Sequence, residues 1–230
     1  FDYSNFVTID NSGNIYLTGE TDCNLDGNLN KGSYDLFFAK YDSNGNLLLL
    51  KQEGTSASDR GVSVATDETG NIFITGTTIG KLGTTANSGA EDIYLIKYNS
   101  TGEKQFTKQI GSSVGDYSNE IKIDSQNNIY ITGYTKGGLD GNSNSGSNDI
   151  ILIKFNNNGE IIWGKQFGTA SSDISNAISF DNSGNIYITG FTGSSLDGNI
   201  FKGNEDIFIS KFTQSGEKVW TKQYGTPQND

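Results

Sequence analysis

The chain has 230 residues, a hydrophobic fraction of 33% and a formal net charge of -11, with a single cysteine and no histidine. So acidic a protein lacks the basic face that nucleic acids and anionic membranes require, and neither is expected as a partner. One cysteine excludes an intrachain disulfide, and the lack of histidine removes the usual zinc ligands. Membrane insertion is not expected either, because no apolar run approaches the length of a membrane span.

The first quarter of the chain predicts four β-strands. We name them A to D, and they cover Phe6–Asp10, Asn14–Thr21, Asp35–Asp42 and Asn46–Glu53. Strand B alternates, with Ile15 and Leu17 on one face and Tyr16 on the other. Strand C is nearly all apolar in every copy, which predicts a strand that is covered on both faces.

The strand B sequence then recurs along the chain at a constant interval of 57 residues. Its four copies are Asn14–Gly19, Asn71–Gly76, Asn128–Gly133 and Asn185–Gly190. Four antiparallel strands in a repeat of this length predict one propeller blade. We therefore expect an all-β fold, a four-bladed β-propeller that forms a single domain over residues 1–230. Its blades would cover approximately 1–57, 58–114, 115–171 and 172–230, and the alternative is part of a larger propeller.

The connections between the predicted strands are of two kinds. Strands A and B, and likewise C and D, are joined by three residues ending in Gly or Asn, which is typical of a tight hairpin. Strands B and C are joined by about a dozen residues, more than a hairpin normally uses. In a meander, the B–C and D–A loops lie at one end of the strands. Ligand binding is expected there, because variable loops on a rigid scaffold are common binding sites.

The fourth copy shows the repeat most completely, in the segments Ala177–Thr192 and Glu205–Gly225. These segments resemble the bacterial SBBP-type β-propeller repeat, a family named for an expected seven blades. The resemblance covers all four copies and implies the propeller fold, but it does not specify an activity. It also implies an extracellular or cell-envelope location, although this chain contains no export signal.

An aspartate precedes strand A at the same phase of every repeat. These residues are Asp2, Asp59, Asp116 and Asp173. Four carboxylates that converge near a propeller axis would repel one another, and Ca²⁺ with its preference for oxygen ligands would relieve that repulsion. The alternative is that each carboxylate accepts hydrogen bonds from the backbone of its own D–A loop.

A second candidate metal site lies in the B–C loop, where three copies read Leu-Asp-Gly-Asn. Its side-chain oxygens would come from Asp26, Asn28, Asp140, Asn142, Asp197 and Asn199. Oxygens at alternate positions around a glycine are typical of calcium loops, although the full EF-hand spacing is absent. The alternative is a plain Asp-Gly turn.

The residue that follows the strand A aspartate differs in every blade. It is Tyr3, Arg60, Tyr117 and Ile174 in turn. Tyrosine and arginine are enriched at binding hot spots, so this position is a candidate ligand contact. A variable position is also what an unconstrained surface would show.

These features favour a non-enzymatic β-propeller scaffold that binds a protein or glycan through its B–C and D–A loops, with Ca²⁺ as an optional ligand and no required cofactor. The segment Gly111–Gly115 matches a nucleophile elbow, but it lies between predicted strands and the chain has no histidine base. Two alternatives stay open. One is a structural unit that self-assembles, forming a homo-oligomer if the ring is incomplete, and the other is a hydrolase that uses paired aspartates.

Overall fold

The structure is a computed structural model that describes residues 1–84 and 87–228. In this part of the chain, sixteen strands form four antiparallel sheets of four strands each, and one 3-10 turn covers Leu196–Gly198. The all-β fold of four blade-like sheets is therefore confirmed. No helix in the described ranges is long and apolar enough to cross a bilayer. Asp230, which repeats the phase of Asp2, lies outside the described residues.

Each sheet is a meander in which strands are hydrogen-bonded in chain order, and we call each sheet a blade. Blade 1 contains β1 (Asp2–Ile9), β2 (Ile15–Thr21), β3 (Asp35–Tyr41) and β4 (Leu47–Glu53). Blade 2 contains β5 (Asp59–Thr66), β6 (Ile72–Thr78), β7 (Asp92–Tyr98) and β8 (Lys104–Ile110). Blade 3 contains β9 (Asp116–Ile123), β10 (Ile129–Thr135), β11 (Asp149–Phe155) and β12 (Ile161–Phe167). Blade 4 contains β13 (Asp173–Phe180), β14 (Ile186–Thr192), β15 (Asp206–Phe212) and β16 (Lys218–Tyr224).

The blades form two compact units. Unit 1 covers residues 1–113 and holds blades 1 and 2, and unit 2 covers residues 114–230 and holds blades 3 and 4. The single domain over the whole chain stays a prediction.

Strand A is longer than its sequence pattern indicates. It was expected to begin at Phe6, but β1 begins at Asp2, which pairs with Thr21. A β-bulge lies between Ser4 and Phe6. Because a bulge shifts the alternation of side chains by one residue, the first half of the strand does not continue the pattern of the second half.

Within unit 1, blades 1 and 2 bury a common hydrophobic cluster. Blade 1 contributes Tyr16, Leu36 and Phe38, which are fully buried, and blade 2 contributes residues that include Val64 and Ile74. Because aromatic and branched side chains from two facing sheets interdigitate, burial of this apolar area is the main stabilising term at the interface.

Unit 2 repeats the same interface two periods later. Its cluster contains Tyr130, Ile150 and Leu152 from blade 3, and Ile178 and Ile188 from blade 4. Each of these residues lies 114 positions after its counterpart in unit 1. The packing of the two blades within unit 1 is therefore repeated within unit 2.

The A–B turns are held by the aspartate that ends strand A. Asp10 Oδ1 accepts hydrogen bonds from the backbone N–H groups of Ser12 and Asn14, at 2.9 Å each. Its Oδ2 accepts from Asn14 Nδ2 at 2.8 Å and from the Tyr16 hydroxyl at 2.9 Å. The counterparts Asp67, Asp124 and Asp181 accept from the equivalent turn residues. These carboxylates therefore shape the short turns.

Hydrogen bonds to the charged carboxylate lower its pKa, and we use Asp181 to test this. Donation from Asn185 Nδ2 is the largest cause, and the pKa of Asp181 is lowered to about 2. A lowered pKa contributes stability that is present above the ordinary value of 3.8 and is lost as the pH falls toward 2.

We expect Asn185→Ala to raise the pKa of Asp181 toward 3.8, measured by NMR titration of the carboxyl carbon. The control is Asn182→Ala in the same turn, and an equal pKa in both variants would contradict this role of Asn185.

Candidate functional site

The long loops of each blade lie at one end of its strands, as the connection lengths predict. In blade 1 the first residue of β1, Asp2, pairs with the last residue of β2, Thr21, which pairs with the first residue of β3, Asp35. The B–C loop leaves and the D–A loop arrives at this edge, which we call the loop end. The three-residue turns lie at the opposite end. The other blades have the same register.

The variable position that follows the strand A aspartate lies at the loop end of every blade. In unit 1, Tyr3 is 48% exposed, and its ring centroid lies 6.4 Å from that of Phe1 and 6.5 Å from that of Tyr34. Arg60 of blade 2 lies beside blade 1, with its Nε 3.3 Å from Glu20 Oε2. Tyr3 and Arg60 thus both belong to a surface of aromatic and charged groups.

Unit 2 shows a closer arrangement at the same position. The rings of Tyr117 and Tyr134 stack, with centroids 4.6 Å apart and planes inclined by 14°. The Lys136 ammonium lies 5.1 Å from the centre of the Tyr117 ring. We call these three residues the tyrosine stack. Ile174 of blade 4 pairs with Phe191 on the neighbouring strand, so an apolar pair takes the same place there.

The strand A aspartates bind the loop backbone and a threonine. Asp59 is fully buried, accepts a hydrogen bond from Thr78 Oγ1, and accepts from the Thr55 N–H at 2.6 Å and Thr55 Oγ1 at 2.9 Å. Asp173 has the same contacts with Thr192 and Thr169. Asp116 accepts from Thr135 Oγ1, and Asp2 accepts from Thr21 Oγ1 at 2.5 Å. The contacts of Asp59 with Thr55 and of Asp173 with Thr169 are those of the alternative in which the carboxylate holds its own D–A loop.

A second buried carboxylate lies close to the strand A aspartate. A Cβ added to Gly168 would lie 2.6 Å from Asp149 Oδ1 and 2.9 Å from Asp173 Oδ2, so both carboxylates approach one point. Both aspartates are fully buried. Burial is the largest cause that raises the pKa of Asp59 in unit 1, and the charge of Asp35 raises it further. The hydrolase that uses paired aspartates stays a prediction.

The Leu-Asp-Gly-Asn segments of the B–C loops are tight turns. Asp26 and Gly27 both have positive φ, 46° and 80°, and the Asn28 N–H donates to Leu25 O at 2.9 Å. Asn28 Nδ2 donates to the same oxygen at 2.8 Å, so the amide group of this side chain closes the turn. Asn142 and Asn199 make the same contact. Asp197 accepts from Lys218 Nζ and Thr221 Oγ1.

Asp140 and Asn142 also line a small pocket with Leu139, Gly164 and Gln166. Its free volume is about 10 Å³, enough for about one water molecule. In the part of the chain that the structure describes, no group of three or more Asp, Glu, His or Cys side chains could hold a metal ion. The calcium sites stay a prediction.

Sequence reasoning missed the glutamine of strand D, which organises the loop end. Gln52 Oε1 accepts from the Leu25 N–H at 2.9 Å, and its Nε2 donates to Cys23 O at 3.0 Å and to Asp35 Oδ2 at 3.2 Å. Gln109, Gln166 and Gln223 make the equivalent bonds. The sequence did indicate a structural role for this residue, because glutamine occurs at the same position of all four repeats.

Comparison with known proteins identifies the repeat. A family model described as the SBBP β-propeller repeat matches residues 52–83, 105–140 and 162–201. Each match begins in the last strand of one blade and ends in the B–C loop of the next. Three segments of the chain thus match the SBBP β-propeller repeat. This match confirms the resemblance to the SBBP repeat at three places, and the structure shows four blade-like sheets.

Two curated proteins are similar to this chain over part of their length. The regulatory protein FlaEY of Caulobacter vibrioides is 26% identical over 234 residues, which cover 93% of this chain and 24% of FlaEY. The uncharacterized WD repeat-containing protein L264 of Acanthamoeba polyphaga mimivirus is 22% identical over 258 residues, covering 85% of this chain and 19% of L264. The chain therefore spans about a quarter or less of these relatives.

Among solved structures, a GH43_12 protein retrieved from the capybara gut metagenome matches with a TM-score of 0.47 at 10% identity. The match covers 98% of this chain and 42% of that protein.

Proposed function

We propose that this chain is a non-catalytic binding module whose ligand contacts the loop ends of its SBBP blades. The observation that carries the proposal is the tyrosine stack in unit 2. Its two parallel rings are half-buried, so they are held in place while an edge of the stack stays open to solvent. An aromatic platform held by its neighbours loses little conformational entropy when a ligand binds.

The ligand class that best fits the tyrosine stack is an uncharged glycan. Tyrosine presents an apolar face for the C–H groups of a sugar and a hydroxyl that can hydrogen-bond at its edge. Lys136 adds a donor beside the ring of Tyr117. An anionic polymer is disfavoured, because the chain carries a net charge of -11 and would repel it. In unit 1, Tyr3 and Arg60 provide a second aromatic ring and a second cationic donor at the loop end.

We expect a glycan array probed with the whole chain to show binding, and we expect Tyr117→Ala to weaken that binding by about tenfold or more, measured by calorimetry with the best glycan. The matched control is Ile162→Ala, which removes an apolar side chain that is 51% exposed near the C–D turn at the opposite end. Equal losses in both variants, or an array without any bound glycan, would contradict the proposal.

Calcium is tested in the same experiment by repeating the titration with Ca²⁺ and with a chelator. If Ca²⁺ assists the ligand, the chelator weakens binding and Asp197→Asn removes the difference between the two conditions. The hydrolase alternative would instead require release of reducing sugar from a bound glycan, lost in Asp59→Asn.

A further inference from the structure

Three of the B–C loops contain the same tetrapeptide, Leu-Asp-Gly-Asn, folded into the same turn. The turns cover residues 25–28, 139–142 and 196–199. The aspartate has a positive φ in each, 46° at Asp26 and 51° at both Asp140 and Asp197. The asparagine N–H donates to the leucine oxygen at 2.9 or 3.0 Å. Because the sequence and the backbone are shared, a difference in reactivity between the three turns must come from the residues that pack against them.

In blade 4, strand D holds the aspartate of this turn. Lys218 Nζ donates to both carboxylate oxygens of Asp197, at 2.7 and 2.6 Å. Thr221 Oγ1 donates to Asp197 Oδ2 at 2.5 Å. Hydrogen bonds to a charged group are among the stronger ones, so these three bonds fix the direction of the Asp197 carboxylate.

Blade 3 lacks both of these donors. Ile161 stands at the position of Lys218, and Gly164 stands at the position of Thr221. A Cβ on Gly164 would lie 3.2 Å from Asp140 Oδ2, so this carboxylate faces the place that the threonine fills in blade 4. The small pocket described above lies between Asp140 and Gly164. Among the described residues, none donates a hydrogen bond to the carboxylate of Asp140.

Blade 1 lacks the two donors as well. Leu47 and Leu50 take their positions, and neither side chain can donate a hydrogen bond. Within residues 1–84 and 87–228, the carboxylate of Asp26 has no donor. Two of the three turns therefore have a carboxylate that can turn, and the third has one that is held.

The nearest nucleophile to each of these carboxyl groups is the nitrogen of the following glycine. In the described part of the chain, no acceptor binds the N–H of Gly27 or Gly141. No atom lies within 4 Å of a Cβ built on either glycine, so no side chain or strand blocks the approach. Because the carboxyl group and the amide nitrogen belong to adjacent residues, they meet at a high effective concentration.

We propose that Asp26 and Asp140 isomerise spontaneously to isoaspartate in the folded chain, whereas Lys218 and Thr221 protect Asp197. In blade 3, the Gly141 nitrogen attacks Cγ of the protonated Asp140 carboxyl group. The new C–N bond closes a succinimide ring, and the carboxyl hydroxyl leaves with the amide proton as water. Water then adds to the ring and breaks one of its two C–N bonds. Cleavage at Cγ restores aspartate, and cleavage at the Asp140 carbonyl carbon gives isoaspartate.

The product alters the backbone of the loop end. Isoaspartate carries the main chain through Cβ and Cγ, which adds one methylene to the turn and removes the positive φ that an L-residue adopts only at a cost. The B–C loop of blade 3 also carries Lys136, so the change lies in the same loop as one residue of the tyrosine stack.

The test is the amount of isoaspartate at each of the three turns while the folded full chain ages at constant temperature and pH. Peptide mapping with electron-transfer fragmentation locates isoaspartate, which leaves the mass of the peptide unchanged. We expect isoaspartate to form about tenfold faster at Asp26 and Asp140 than at Asp197, because Asp197 must first break hydrogen bonds to its charged group. Equal rates at the three turns, or no isoaspartate at Asp26 and Asp140, would overturn the proposal.

The chain unfolded in urea is the matched control. There the three turns keep only their shared tetrapeptide, so their rates should become equal. If Asp197 were also the slowest of the three in urea, its protection would come from the local sequence, and the role of Lys218 and Thr221 would be contradicted.

A double variant removes the protection in blade 4. Lys218→Ile with Thr221→Gly gives blade 4 the residues of blade 3, and Asp197 should then react as fast as Asp140. Circular dichroism and thermal unfolding verify that this variant folds, since glycine weakens a strand. A folded variant in which Asp197 stays slow would contradict the proposal.

The reverse exchange gives blade 3 the residues of blade 4 and does not depend on the first variant. Ile161→Lys with Gly164→Thr should make Asp140 as slow as Asp197, while Asp26 reacts as before. There is room for the threonine, because the nearest atoms to a Cβ on Gly164 belong to the Asp140 side chain that it would bind. An unchanged rate at Asp140 in this variant would show that the missing donors do not decide its reactivity.

Discussion

Gly76→Ala is expected to lower the free energy of unfolding by about 3 kcal/mol or more, measured by urea denaturation. Gly76 closes the recurring strand B sequence, and a Cβ at this position would lie 1.8 Å from Arg60 O and 2.6 Å from the Tyr94 hydroxyl. The first contact is with backbone, so it cannot be relieved by turning a side chain. The ladder between β5 and β6 would have to separate.

The control for Gly76→Ala is Gly27→Ala, at a glycine with open space around it. No atom lies within 4 Å of a Cβ on Gly27, and its φ of +80° leaves only backbone strain of about 1 kcal/mol. A similar loss in both variants would mean that the close strand contact does not decide the need for glycine. Glycines 19, 133 and 190 show the same close approach to backbone oxygen, so the result should hold in every blade.

Asp59→Ala is expected to lower the free energy of unfolding by about 3 kcal/mol at neutral pH. The substitution removes the acceptor of the N–H and hydroxyl of Thr55, and it leaves Thr78 Oγ1 with only the longer bond to Gly80 O, at 3.2 Å. Because these groups are buried or partly buried, each lost bond carries a desolvation cost. The loss is smaller than the sum of these costs, since removal of Asp59 also relieves the burial of a charge beside Asp35.

The pH dependence of this loss has a definite sign. Burial, with the charge of Asp35 adding to it, raises the pKa of Asp59 above its ordinary value of 3.8. The native state therefore binds the proton more tightly than the unfolded state, and the contribution of Asp59 falls as the pH rises from 3.8 through the raised pKa. We expect the stability difference between the unchanged chain and Asp59→Ala to shrink over that interval.

Asp2→Ala is the matched control, because Asp2 occupies the same phase of blade 1 but is exposed. The loss of unfolding free energy in Asp2→Ala should stay below about 1 kcal/mol at neutral pH. If Asp2→Ala lowered the free energy of unfolding as much as Asp59→Ala, burial of the carboxylate would not explain the loss of stability in Asp59→Ala.

Much of the fold could be predicted because the same pattern of strand and turn residues occurs four times along the chain. The bounds of strands B, C and D agree with the structure within one residue. Strand A was wrong in its first half because a bulge at Asn5 changes the phase of its side chains. A bulge is a local departure in hydrogen bonding, and the identity of the residue at that place does not reveal it.

The candidate site was predicted less completely. Position in the repeat placed Tyr3, Arg60, Tyr117 and Ile174 at the loop ends, but their neighbours come from other strands. Tyr134 and Lys136 reach Tyr117 only through the pairing of β9 with β10. Likewise, Asp59 and Asp173 were predicted as ligands or loop caps, and Thr78 and Thr192, which also donate to them, lie nineteen residues away in the sequence.

The sequence by itself determined the number of repeats, the strand order within a blade and the end at which the long loops lie, because these follow from local periodicity and connection length. Only the tertiary structure decided which oxygens of the repeated aspartates already have donors and which side chains of the repeat are buried. Val7 and Val64 occupy the same phase of the same repeat, yet one is 61% exposed and the other 1%. Burial depends on what packs against a residue, and that partner lies outside its local sequence.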